Sequence, residues 1–322
     1  MGYNKEVFSR VKAEYAGKYK KAQAEADARR IELYATLPEI QSLDLLLSRT
    51  GLDIMGAILT GGADTEKKIA EIREKNRLTQ EKRGAILIAN GYPADYTDVR
   101  YECMACGDSG YVGQKMCVCM RKALTMASFE SSGLGALIGT QTFDNFSLNY
   151  YQGTDRDRAE AAQRHLRTFA EGFNKETYRN YLLLGSTGLG KTHLSTAVTA
   201  EVIERGFDVF YVTAVGMLGD FEGKRFGSEA DKQKDLSRYY EADLLIVDDL
   251  GTEIVNQFTL SCLYDVINSR LNTHRSTMLN TNLSRKELED KYNERITSRL
   301  FGEYYPLLFT GSDIRRQKIQ KR

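Results

Sequence analysis

At 322 residues the chain exceeds one average domain, and its 42% hydrophobic and 28% charged content is that of a globular protein, not of a disordered chain. No apolar run reaches the roughly 18 residues of a membrane span, and Met1-Gly2-Tyr3-Asn4-Lys5-Glu6 lacks a signal-peptide core, so a cytoplasmic, membrane-free protein is expected. A formal charge of +1 excludes a global basic field, and any nucleic-acid contact must come from a local patch.

From about residue 4 to 36, Phe8, Val11, Tyr15, Tyr19, Ala22 and Ala26 recur at spacings of three and four in a Lys/Glu/Ala/Arg-rich background, which predicts a helix with one apolar stripe. Pro38 closes it. Leu43, Leu45, Leu46, Leu47, Leu52, Ile54 and Ile58 then predict a short buried helix. After the turn signal Gly61-Gly62-Ala63-Asp64, a charged helix runs from Thr65 to about Ala89 and stops at Asn90-Gly91-Tyr92-Pro93. Residues 1–95 therefore read as a helical module, either a solvated spacer or a partner-docking hairpin.

Four of the five cysteines fall within 17 residues, which favours a metal site over disulfides in a cytosolic chain. Cys103 and Cys106 form one clip, Cys117 and Cys119 a second, and the Gly-rich turn Gly107-Asp108-Ser109-Gly110-Tyr111 follows the first. Four thiolates close a tetrahedral zinc shell with no open position, so the role expected for residues 96–125 is structural. The C-x-C spacing of the second clip is less usual; an iron–sulfur cluster and a metal-free segment stay open. Lys115, Arg121 and Lys122 flank the clips, and a nucleic-acid-binding knuckle is a second reading. Cys262 reads as a small buried apolar residue.

Residues 126–145 read as a linker. From about Arg179, strand-like runs at Tyr181–Leu184, Val209–Thr213, Leu244–Asp248, Thr277–Thr281 and Leu307–Thr310 alternate with helical ones. This predicts an α/β domain with a parallel sheet, flanking helices and a ligand site at the carboxyl ends of the strands.

The first of those strands runs directly into Gly185-Ser186-Thr187-Gly188-Leu189-Gly190-Lys191-Thr192, with His193 opening the next helical stretch. That is the strand, loop and helix context a Walker A motif requires: backbone N–H groups and the helix N-terminus hold phosphates. Lys191 is expected on the β- and γ-phosphates of ATP and Thr192 on magnesium. Leu244-Leu245-Ile246-Val247-Asp248-Asp249 is an apolar strand ending in two acids, as a Walker B element needs. Asp248 is assigned to magnesium, and Asp249, where such enzymes usually carry glutamate, to the attacking water. Asn282, after the next strand, either bridges that water and the γ-phosphate or merely caps the helix starting near Ser284.

Gly185–Leu194, Leu244–Gly251, Thr281-Asn282-Leu283 and Asn293-Glu294-Arg295-Ile296-Thr297-Ser298-Arg299-Leu300 together resemble the AAA+ ATPases of the DnaC/DnaI helicase-loader and IstB group over roughly residues 140–318. The cysteines ahead of the ATPase motifs are similar to the zinc-containing DnaI-like or phage-type branch. The resemblance implies an AAA+ P-loop domain at 146–322 and an ATPase active as a homo-oligomer. In it Arg299 completes a neighbouring copy's site, and Arg315 acts as a second sensor. Arg316 is the rival for that role, and a solvated terminal cluster is the plain alternative. Lys224, Arg225 and Phe226 stand where relatives grip single-stranded DNA, with a solvated loop as the alternative. The implied partner is a replicative hexameric DnaB-like helicase, to which the N-terminal region docks. An IstB-like transposase helper and a small-molecule kinase are the other readings.

Overall fold

The structure is a computed structural model that describes residues 3, 5–60, 64–130, 135–174 and 176–320. The backbone separates into two compact units, one of residues 14–109 and one of 1–13 with 110–322. Helix α1 spans Lys5–Thr36, α2 Pro38–Thr60 and α3 Thr65–Ala89. Pro38 takes the first position of α2, where its missing N–H costs nothing.

In the smaller unit Leu33, Ile40, Leu43 and Leu87 form a buried cluster, with Tyr34, Tyr92 and Tyr96 packed against it. Beside it Arg83 pairs with Asp44 at 2.5 Å, and the Tyr34 hydroxyl donates to the same carboxylate at 2.8 Å. The expected stripe of α1 is buried at Val11, Tyr15, Ala22 and Ala26, whereas Tyr19 is exposed. The expectation for α2 is corrected. It is a 23-residue helix with only Ile40, Leu43 and Ala57 buried, and Leu45, Leu46, Leu52 and Ile58 face solvent. A density of leucines was read as burial, but a helix packed along one side hides one stripe and leaves the rest exposed. The Gly61-Gly62-Ala63 turn lies outside the described residues.

The larger unit opens with an antiparallel hairpin, β1 (Tyr111–Val112) and β2 (Lys115–Met116), followed by α4 (Val118–Phe129), the short α5 (Gly135–Ile138) and α6 (Gly153–Glu171). The main sheet is built from β3 (Tyr181–Leu184), β4 (Val209–Thr213), β5 (Leu244–Leu250), β6 (Ser276–Thr281) and β7 (Tyr305–Leu308), in the order β4-β5-β6-β3-β7 and parallel throughout. Between them run α7 (Lys191–Glu204), α8 (Ala214–Phe226), α9 (Glu229–Lys232), α10 (Ser237–Glu241), α11 (Gln257–Asn272), α12 (Arg285–Lys291) and α13 (Glu294–Glu303), with α14 (Ile314–Gln320) last.

Strand alternation divides the core between the two faces. Leu183, Tyr211, Ile246 and Met278 pack with α6 and α7 residues such as Leu166 and Val198, whereas Leu182, Leu245, Val247 and Leu279 pack with Met217, Leu263 and Ile296 from α8, α11 and α13. Both faces are covered, as a parallel sheet requires. The last strand begins two residues earlier than the apolar run Leu307–Thr310 predicted. It is an edge strand, paired only with β3, so it tolerates Pro306 and exposed Tyr305 and carries a weak hydrophobic signature.

Candidate functional site

The loop after β3 depends on glycine at particular places. Gly185, Gly188 and Gly190 have φ of 147°, 80° and 85°, all in the region that side chains avoid. Space is as restrictive as conformation: a Cβ on Gly185 would fall 2.2 Å from the Phe309 carbonyl oxygen, and one on Gly188 would fall 2.1 Å from an Asp313 carboxylate oxygen. Gly190 caps α7 in the left-handed conformation, so the loop delivers the N-terminus of that helix to the carboxyl end of the sheet.

Lys191 is 5% exposed, and its ammonium donates to the carbonyls of Gly185 at 2.5 Å and Ser186 at 2.8 Å and to Asn282 Oδ1 at 2.7 Å. Burial brings its pKa down to about 8 against the opposing pull of the Asp248 and Asp249 carboxylates, with Arg315 adding to the fall. Asn282 also donates to Asp249 Oδ1 at 3.3 Å. Ser284, not Asn282, caps α12, its hydroxyl accepting from the Glu287 N–H. The capping alternative for Asn282 is thereby removed, and its amide stands between a cation and a carboxylate.

Asp248 and Asp249 differ sharply. Asp248 is buried, accepting from the Tyr211 hydroxyl at 2.6 Å, from Asn280 Nδ2 at 2.9 Å and from the Asp249 N–H at 3.0 Å. Asp249 opens to solvent, sits at φ 54° and has its pKa raised by partial desolvation of the carboxyl and then by Asp248. The β5–β6 register shifts between Val247 and Leu250, directly at the pair.

These groups surround a cavity of about 450 Å³ whose wall includes Thr187, Gly188, Leu189, Gly190, Lys191, Thr192, His193, Asp249, Asn282 and Arg315. Gly185, Ser186 and Asp248 are not among the residues that line it. His193 contributes to it while a ring nitrogen meets the Thr142 carbonyl at 2.9 Å. Arg315 lines the cavity, and its rival Arg316 does not and is almost fully exposed. Arg299 lies elsewhere, on α13, where Nε donates to Asn268 Oδ1 at 2.9 Å and the guanidinium stacks 4.6 Å from the Tyr264 ring centre. Lys224, Arg225 and Phe226 form the last turn of α8 rather than a loop. The Lys224 ammonium donates to the Lys234 carbonyl at 2.7 Å, Arg225 lies over both Phe226 and Phe258, and the Phe226 ring is 69% exposed.

Sequence reasoning missed the wall formed by Gln141, Asn145, Phe146, Ser147 and Tyr150. The neighbouring Tyr151 donates its hydroxyl to the Leu189 carbonyl at 2.8 Å, clamping the loop from outside. The aromatic cluster Phe143, Phe146, Tyr150, Tyr151 ahead of α6 was the available signal.

The cysteine segment is built locally on each side. Asp108, at φ 56°, accepts from the N–H groups of Glu102 and Cys103, and the Gly107 N–H donates to the Cys103 carbonyl at 2.9 Å. Cys117 precedes the first turn of α4, its N–H bonded to the Gly110 carbonyl at 2.8 Å. Cys103 and Cys106 lie in the smaller unit, and Cys117 and Cys119 in the larger. Four thiolates are the donor set of a closed tetrahedral zinc site, so the residues suit that ion by chemistry. Among the described residues no helix is long and apolar enough to cross a membrane.

Residues 134–300 match the family described as IstB-like ATP binding protein. The replicative helicase loader DnaC of Buchnera aphidicola subsp. Acyrthosiphon pisum (strain APS) is 25% identical over 195 residues, 60% of this chain and 76% of that one. DnaC of Escherichia coli (strain K12) is 22% identical over 173 residues, covering 54% and 68% respectively. The phage-like element PBSX protein XkdC of Bacillus subtilis (strain 168) is 26% identical over 239 residues, covering 70% and 87%. Among solved structures, a DnaC helicase loader superposes with a TM-score of 0.43 at 25% identity, over 52% of this chain and 98% of that one.

Proposed function

The chain belongs to the IstB-like ATP binding protein family, and from that membership we propose that it is an ATPase that loads a ring-shaped replicative helicase onto single-stranded DNA. The observation that carries the ATPase half is the convergence of Lys191, Asn282, Asp249 and Arg315 on one cavity at the carboxyl ends of the strands. Relatives named as helicase loaders support the other half.

In this reading the loop N–H groups and Lys191 hold the β- and γ-phosphates of ATP. Thr192 and Asp248 hold magnesium, whose charge when bound offsets that of the phosphates. Their hard oxygen donors suit that ion. Asp248 also retains capacity: three of about four lone-pair sites are taken, leaving one. Asp249 takes the proton of the attacking water or orients it, Asn282 bridges that water and the γ-phosphate, and Arg315 reads the nucleotide from α14. Arg299, remote from its own cavity, reaches the site of a neighbouring copy in the ATP-bound homo-oligomer.

The division of labour follows the chain. Residues 1–95 dock on the helicase, 96–125 are held by zinc on the four cysteines, and 146–322 form the ATPase, while 126–145 lead into it and bring Gln141 and Asn145 to the cavity wall. The exposed Phe226 ring with Arg225 and Lys224 offers a stacking face and positive charge to single-stranded DNA. ATP binding favours the assembly that grips DNA, and hydrolysis releases it.

Native mass spectrometry of the protein with the replicative helicase of its own host, with and without ATP and magnesium, tests this reading. A nucleotide-dependent complex of defined stoichiometry is expected. No complex in either state would move the second reading, an ATPase helper of a transposase suggested by the IstB-like match, to first place.

A further inference from the structure

Four elements meet in one buried polar network. Ser195 on α7, Tyr211 on β4, Asp248 on β5 and Asn280 on β6 are all buried. Asn280 Nδ2 donates one N–H to Asp248 Oδ1 and the other to Ser195 Oγ, both at 2.9 Å. The Tyr211 hydroxyl donates to Asp248 Oδ2 at 2.6 Å, and its oxygen lies 3.1 Å from Ser195 Oγ. Each carboxylate oxygen of Asp248 is thus held by a donor from a different neighbouring strand, and the ring closes on the helix that begins with Lys191 and Thr192.

Stability alone does not account for this arrangement. Among the described residues Asn280 Oδ1 is buried with no hydrogen-bond partner, a loss of about 1–3 kcal/mol that an apolar side chain beside Met278 and Leu279 would avoid. Turning the amide over does not help, because its oxygen would then face the Asp248 carboxylate. An amide kept in a strand interior at that cost serves the carboxylate it touches. A buried carboxylate with two rotatable bonds holds one orientation only when both oxygens are tied, and Tyr211 and Asn280 are what ties them.

We propose that Tyr211 and Asn280 are positioning residues for magnesium-nucleotide binding, holding the Asp248 carboxylate in register with Thr192 through Ser195, whose hydroxyl donates to the Thr192 carbonyl at 3.1 Å. The proposal rests on the nucleotide-site reading above. Outer partners of metal-binding side chains change metal affinity by about 10–100-fold when removed, without touching the metal themselves.

The test titrates the full chain, Tyr211→Phe and Asn280→Leu with a fluorescent ATP analogue, first in EDTA and then at graded magnesium. In EDTA all three are expected to bind within about twofold, because loop and lysine contacts are intact, while the magnesium needed for half-maximal gain in affinity rises by about 10–100-fold in the variants. Tyr211→Phe loses only a hydroxyl, so it carries the test even if Asn280→Leu folds poorly. Wild-type magnesium dependence in Tyr211→Phe overturns the proposal, as do equal losses with and without magnesium, the mark of a merely structural role. A wild-type chain that binds no nucleotide at all removes the site reading and this proposal with it; normal wild-type binding with unaltered variants removes this proposal alone.

Discussion

Replacing Gly190 with alanine strikes the phosphate loop in two separable ways. The residue sits at φ 85°, where any Cβ costs about 1–2 kcal/mol. That Cβ would also fall 2.8 Å from the Phe146 ring and 2.8 Å from the Tyr151 hydroxyl, and Tyr151 is not free to retreat because it holds the Leu189 carbonyl. Overpacking of this kind adds about 1–3 kcal/mol, for a total of about 2–5 kcal/mol. Urea unfolding of wild type, Gly190→Ala, Phe146→Ala and the double variant measures both parts. Phe146→Ala opens one of the two contacts, so the double variant should recover about 1 kcal/mol of the steric part and none of the backbone part. A Gly190→Ala cost below about 0.5 kcal/mol, or strict additivity in the cycle, would refute the reasoning that the 141–151 segment is packed on the loop.

Lys191 gives a pH signature: its folded pKa of about 8 lies below the ordinary 10.5, so between those values the unfolded chain binds more protons and stability rises with pH. Relative to Lys191→Met the gain approaches about 3 kcal/mol, read from urea unfolding at both ends of the window, and parallel curves would count against it. Arg299→Ala should bind the ATP analogue as wild type does while steady-state turnover falls about 10³-fold or more; normal turnover would sink its role on a neighbouring copy. Each chain should carry the mass of one zinc, lost in Cys103→Ser, with new protease cleavage in 103–119, since a zinc bound there would contribute about 10–16 kcal/mol to folding that segment. A metal-free wild type would end the zinc assignment.

What was readable in the sequence was what local chemistry dictates. Gly185, Gly190, Lys191 and Thr192 announce themselves because the loop needs those residue types at that spacing, and the strands β3 and β5 because both faces are buried and their apolar runs are unbroken. The cavity's other wall was not readable. Phe146 and Tyr150 lie some 40 residues upstream, and aromatic side chains there look like ordinary core until the chain folds them over the loop. Asn280 was hidden by its neighbour: in Asn280-Thr281-Asn282 only the last residue stands where a nucleotide sensor is expected, yet the first is the one bonded to Asp248. The exposed leucines of α2 misled in the opposite direction, since composition counts apolar residues without saying how many a three-helix module can cover.

The two adjacent acids of β5 raise a geometric question that spacing alone leaves unanswered. In a regular strand successive side chains point to opposite faces, so Asp248 and Asp249 cannot both serve one site. The structure resolves this by breaking the strand: pairing with β6 slips between Val247 and Leu250, and Asp249 takes a left-handed backbone at φ 54°. Asp248 keeps the inward direction and is tied by Tyr211 and Asn280, while Asp249 is turned out to the cavity and met by the Asn282 amide. A left-handed residue that is not glycine stores about 1 kcal/mol or more, and such strain persists where surrounding contacts enforce it. The bulge therefore separates the two carboxylates by environment. One is buried and fixed, as a metal ligand would need to be, and the other opens to the cavity with its pKa raised by partial desolvation of the carboxyl and by the first, which would suit it to proton transfer.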